Sequence, residues 1–135
     1  MISQKSLKTP LRYPGGKSRA VTKISQFFPD LTNLKEYREP FLGGGSVALW
    51  VTKQFPNLDI WVNDLYEPLY NFWSMLQTNS DEMTDSLKNY KTTHPNPDTA
   101  KELFEDCKTK VADKKTDNLN RAIAFYIINK CSFSG

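Results

Sequence analysis

The sequence predicts a doubly wound α/β fold that holds a small-molecule cofactor, and three observations carry that expectation. The first is a run of three glycines, Gly43-Gly44-Gly45, with a short extended segment before it (37–41) and a helical pattern after it (46–55). A backbone without Cβ atoms can turn sharply and come close to a ligand, as happens where a nucleotide-type cofactor meets a strand-to-helix turn. The second is Asp64, which closes the next apolar run (58–63) about twenty residues later, where an adenosine ribose finds an acceptor for its hydroxyls. The third is that Gly43-x-Gly45-x-x-Ala48 fits the dinucleotide fingerprint with its permitted final alanine.

Residues 1–12 read as an extended or loosely ordered lead, and Tyr13-Pro14-Gly15-Gly16-Lys17 as a loop, since the proline disfavours helix before it and the glycines after it. Across 19–28, Ala20, Val21, Ile24, Phe27 and Phe28 fall at helical spacing until Pro29 stops them. The first strand, glycine turn, helix and second strand follow. A helix is then expected over 67–77, with Pro68 near its start and Leu69, Phe72, Trp73 and Leu76 on one face. From Ser80 the character changes: 80–90 and 99–111 are polar helical segments separated by Thr92-Thr93-His94-Pro95-Asn96-Pro97. Rich in Lys, Asp and Glu, they read as a helical insertion outside the sheet. Residues 117–130 form a stronger helix, apolar on most of its surface, which implies burial.

A chain of 135 residues with 39% hydrophobic and 13% aromatic content suffices for one domain with a real core. No apolar run reaches membrane-spanning length and no charged-then-apolar leader opens the chain, so a soluble, cytoplasmic protein is expected. Cys107 and Cys131 fit no metal spacing and His94 stands alone, which argues against a protein-made metal site. The net charge of +3 hides an asymmetry: through Lys23 the chain carries Lys5, Lys8, Arg12, Lys17, Arg19 and Lys23 without an acid. Such a segment favours a polyanion such as DNA, though a solvated basic tail has the same composition.

Gly15-Gly16-Lys17-Ser18 resembles the end of a phosphate-binding P-loop, but that pattern needs a glycine where Leu11 stands, so the reading fails. What survives is a cation beside flexible backbone and the ring of Tyr13. The glycine turn with Asp64 does not by itself separate a nicotinamide or flavin cofactor from S-adenosylmethionine, because all three carry an adenosine.

The order of motifs does separate them. A Gly-Gly-Lys loop precedes Glu39-Pro40-Phe41-Leu42-Gly43-Gly44-Gly45-Ser46, then Asn63-Asp64-Leu65, then Asn129-Lys130-Cys131-Ser132-Phe133-Ser134-Gly135. Along almost the whole chain this resembles the Dam-like (D12 class) adenine-specific DNA methyltransferases. The resemblance implies a partial doubly wound, Rossmann-like S-adenosylmethionine-dependent methyltransferase fold with a helical insertion. It also implies S-adenosylmethionine as cofactor and double-stranded DNA as partner. Tyr13, Gly16 and Lys17 match the family's N-terminal cofactor motif. Pro40, Phe41, Gly43, Gly45 and Ser46 match its glycine-rich motif, and Asp64 takes the ribose role. Phe133 and Ser134 match residues that approach DNA, with Lys130 in place of the usual arginine and Ser134 in place of the usual asparagine.

The domain division this implies is a cofactor-binding part at 1–79, a helical insertion and candidate DNA-recognition region at 80–118, and a helix returning to the core at 119–135. The family's Asp-Pro-Pro-Tyr type motif, which holds an adenine swung out of the duplex, is absent from these 135 residues. No catalytic residue is therefore assigned. The absence reads as truncation, and the chain is expected to be inactive alone. The alternatives are a non-catalytic remnant that binds S-adenosylmethionine or DNA, half of a split enzyme completed by a C-terminal half, and a nicotinamide-dependent oxidoreductase half.

Overall fold

The computed structural model describes residues 8–132. Backbone proximity divides the chain into two units, Met1–Asp64 and Leu65–Gly135. Among the described residues the fold is α/β, with six α-helices and a two-stranded parallel sheet. No described helix is long and apolar enough to cross a membrane.

The first unit holds α1 (Val21–Ile24), a 3-10 turn (Ser25–Phe27), β1 (Glu36–Glu39), α2 (Ser46–Gln54) and β2 (Asp59–Val62). β1 and β2 pair in parallel, Glu36 opposite Asp59 through Glu39 opposite Val62, with α2 as the connection that a parallel pair requires. Alternation along the strands leaves Tyr37, Glu39, Ile60 and Val62 half-buried, while Glu36, Arg38, Asp59 and Trp61 are exposed. Tyr37 and Ile60 pack on a core of Leu31, Val51 and Leu58, where Trp50 lies edge-on between Phe28 at 5.7 Å and Phe55 at 6.3 Å. On the exposed face the Arg38 guanidinium pairs with Glu36 and lies 6.0 Å from the centre of the Trp61 ring.

In this unit α1 and β1 depart from expectation for local reasons. The helix expected over 19–28 keeps only four α-helical residues. Three of those four are β-branched, Ala20 offers no side-chain cap, and the Ser25 hydroxyl donates back to the Thr22 carbonyl at 3.0 Å. Phe28 is extended (φ −73°, ψ 145°), as the residue before a proline must be. β1 ends one residue before Pro40, which has no N–H to give the ladder. Pairing then resumes: Asn63 N–H donates to Glu39 O at 3.0 Å, and Leu42 N–H to Asn63 O at 2.9 Å. That interrupted ladder carries residues 63–64 alongside 42–43.

The second unit is helical: α3 (Glu67–Thr78), α4 (Ser80–Thr93), α5 (Pro97–Ala112) and α6 (Asn118–Cys131). α6 packs against both α3 and α5, and buries Ala122, Ile123, Ala124 and Ile127, as its apolar surface predicts. Phe72 of α3 is 1% exposed and stacks on Tyr126 with centroids 5.8 Å apart and planes 6° apart. Asn71 donates to the Asn118 carbonyl at 2.8 Å, and Arg121 grips Glu67 with two bonds of 2.9 and 2.5 Å. α4 runs past its expected end to Thr93, with the Thr92 and Thr93 hydroxyls turned back onto the Lys88 and Asn89 carbonyls. α5 starts early because Pro97 suits a first turn and Asn96 caps the Thr99 N–H at 3.0 Å.

Candidate cofactor site

The glycine turn owes its shape to backbone conformations that side chains disfavour. Gly43 has φ +53° and Gly45, which caps α2, has φ +70°. Gly43 is constrained twice, since a Cβ there would lie 2.9 Å from Cε1 of Tyr13. At Gly44 a Cβ would lie 2.8 Å from the Tyr13 Cβ. The close approach that Gly43 and Gly44 permit is therefore to the side chain of Tyr13, from a loop thirty residues before Gly43.

Asp64 lies directly against the turn. Its Oδ2 accepts a hydrogen bond of 2.9 Å from the Gly43 N–H. The register of the interrupted ladder explains this, because it sets the end of β2 beside the start of the glycine run. The loop of residues 13–18 is pinned to the same place by a 2.7 Å bond between the Ser18 and Ser46 hydroxyls. Lys17 folds its Nζ back onto the Gly15 carbonyl at 2.6 Å.

These segments enclose a cavity of about 450 Å³. Tyr13, Gly16 and Lys17 line it from the first loop, and Phe41, Gly43, Gly45 and Ser46 from the turn. Asp64 completes it. Every residue expected from sequence to hold a cofactor is thus on its wall, except Pro40, which ends β1 without lining the cavity. Phe41 is 84% exposed and so presents a free ring to whatever enters. The expected DNA-approaching residues, Phe133 and Ser134, lie outside the described residues.

Glu39 also lines the cavity, although sequence reasoning quoted it only as part of a motif. It accepts a 3.1 Å bond from the Tyr37 hydroxyl and another from the Ala48 backbone N–H. α2 has no side-chain cap of its own, so this carboxylate from β1 serves one of its free N–H groups. Burial pushes the Glu39 carboxyl above its ordinary value, against the pull of those two bonds. The Tyr37 hydroxyl is pushed up to about 12, first by burial and then by the charge of Glu39. The signal that could have found Glu39 is its place at the end of a strand that feeds the glycine turn.

The cavity thus combines two carboxylate acceptors at strand ends, two aromatic faces and a cation on the loop of residues 13–18. That donor set suits a ligand with hydroxyls, a flat ring and charged ends. Comparison with known sequences places it in a family. The model of the D12 class N6 adenine-specific DNA methyltransferases matches residues 13–135. The chain belongs to that family. It is 25% identical to the type II methyltransferase M.MjaIII of Methanocaldococcus jannaschii, over 96% of this chain and 47% of that protein. It is 29% identical to a DNA adenine methylase of Vibrio cholerae, over 93% of this chain and 41% of that protein. It is also 26% identical to the modification methylase StsI of Streptococcus sanguinis, over 70% of this chain and 17% of that protein. The chain therefore spans less than half the length of these relatives.

For a D12-class chain, S-adenosylmethionine is the cofactor to test against the cavity. Asp64 and Gly43 share a hydrogen bond on the wall, Glu39 is half-buried there, and both Tyr13 and Phe41 offer rings. The residues present fit an adenosine bearing an amino-acid tail.

Proposed function

We propose that this chain supplies the cofactor-binding part of a site-specific DNA adenine-N6 methyltransferase, with S-adenosylmethionine held in the glycine-lined cavity. The observation that carries the reading is the 2.9 Å bond from Gly43 N–H to Asp64, with both residues on the wall of one cavity. In it Asp64 accepts from ribose hydroxyls, since a carboxylate has acceptor sites for several donors at once. Tyr13 and Phe41 flank the flat base, and Lys17 and Glu39 face the charged amino-acid end. The bound cofactor supplies the methyl group. The β1–α2–β2 unit is consistent with a doubly wound, Rossmann-like sheet in the whole enzyme. Residues 80–118 are the candidate DNA-recognition region.

In-line transfer to an adenine amine depends chiefly on positioning and on stabilising the charge that develops. The Asp-Pro-Pro-Tyr type motif that would hold the amine is not among these 135 residues. A second reading is a binding module or half of a split enzyme that acts with a complementing C-terminal half. Calorimetry tests the cofactor assignment. S-adenosylhomocysteine should bind and NAD should not, and Asp64→Ala should weaken binding by about 1.5–3 kcal/mol, the range for losing charged hydrogen bonds. Preference for NAD, or an unchanged dissociation constant in Asp64→Ala, refutes it. Labelled-methyl transfer to unmethylated duplex should give no turnover with the 135-residue chain alone, and robust turnover refutes that expectation.

A further inference from the structure

A second cavity, of about 550 Å³, lies in the first unit along the flank of α2. Three cations line it, Lys8, Arg19 and Lys53, and no carboxylate does. Among the described residues none of the three takes part in an ion pair. Like charges left together on one wall repel each other, and an anion between them reverses that cost. The Ser18–Ser46 hydrogen bond forms the boundary with the cofactor cavity, since Ser46 lines both spaces.

The shape indicates which anion. Arg19 follows Ser18, which is bonded to the first residue of α2, whereas Lys53 is one residue from the helix's last. Seven residues at about 1.5 Å each separate Ser46 from Lys53, so the cationic wall runs for about 10 Å. Phosphates of one DNA strand rise roughly 3.4 Å each along the duplex axis but lie about twice that far apart along the backbone, so that length spans about two of them. One compact anion leaves most of such a slot unfilled.

We infer that this cavity is a backbone-binding slot for a DNA strand, with Arg19 and Lys53 as phosphate contacts at its two ends and Lys8 as a third cation between the walls. It rests on the reading of the protein as a DNA methyltransferase part. It adds a contact surface in the first unit, apart from the helical region 80–118 and from the cofactor cavity. Contacts of this kind position the duplex and carry no sequence information.

The test is fluorescence anisotropy of the full chain with a labelled duplex of arbitrary sequence, between 50 and 200 mM salt, roughly the range over which phosphate contacts are lost. Arg19→Ala/Lys53→Ala should flatten the plot of log K against log salt by about 1.8, at roughly 0.9 per phosphate contact. A charge-matched pair outside the cavity, Lys23→Ala/Lys35→Ala, should leave the slope near that of the parent. Equal slopes for the two pairs overturn the inference, as does a parent chain that binds S-adenosylhomocysteine but no duplex. A chain that binds duplex with the expected difference between pairs, yet binds no S-adenosylhomocysteine, upholds the slot and sinks the cofactor reading instead. Far-ultraviolet circular dichroism matching the parent's is the criterion for admitting each variant.

Discussion

Gly43→Ala is the perturbation that most directly probes how the candidate cofactor cavity is built. Two costs should arise. An alanine at φ +53° loses about 1–2 kcal/mol from left-handed backbone strain. Its Cβ would also lie 2.9 Å from Cε1 and 3.1 Å from Cζ of Tyr13, so the ring must move. Because Tyr13 is 44% exposed, the ring can swing into solvent, and this second term should stay below the roughly 1–3 kcal/mol of a buried overpacking. Gly15→Ala isolates the first term, since its φ is +71° with nothing within 4 Å of the added methyl. Urea unfolding should therefore show Gly43→Ala less stable than Gly15→Ala by about 0.5 kcal/mol or more, the lower end for residues in contact. Combining it with Tyr13→Ala should recover that excess. Calorimetry should show S-adenosylhomocysteine binding at least about tenfold weaker in Gly43→Ala, or 1.4 kcal/mol, because the displaced ring leaves the wall it lines in the parent. Strict additivity of Gly43→Ala with Tyr13→Ala, together with parental affinity in the single variant, would refute the packing account.

Other consequences are as direct. Phe72→Ala removes a ring that is 1% exposed and stacked on Tyr126, and should cost about 3–5 kcal/mol in chemical denaturation; a loss below 1 kcal/mol would contradict its central place in the second unit. Native protein at pH 8 should release one fast equivalent with a thiol reagent, from exposed Cys131. Cys107, buried and with its thiol pushed up to about 11, should react only on unfolding, and two fast equivalents would contradict its burial. Glu39 has a folded-state carboxyl raised above its ordinary 4.5. The unfolded chain therefore gives up that proton first, and stability falls as pH rises from 4.5 through the raised folded value. Glu39→Gln should flatten that fall, and an unchanged pH profile of melting temperature would dismiss Glu39 as its source.

What could be read from the residues follows from the range of the forces involved. α3 and α6 announce themselves through apolar spacing over three turns or more, and the structure gives them within a residue or so. Helix α1 does not, because its apolar spacing competes with β-branched residues and a following proline. The approach of Asp64 to the glycine turn was visible in the spacing of a β-α-β unit. The Ser18–Ser46 bond was not, since two serines 28 residues apart leave no periodic trace. Nor could pattern reveal that Tyr13 takes the space which Gly43 and Gly44 leave, as only folded proximity pairs that loop with the turn.

Every wall of the cofactor cavity comes from the stretch between Tyr13 and Asp64, a contiguous piece inside the first unit. Such a pocket behaves as a cassette. Changes downstream of Asp64 leave every residue on that wall in place.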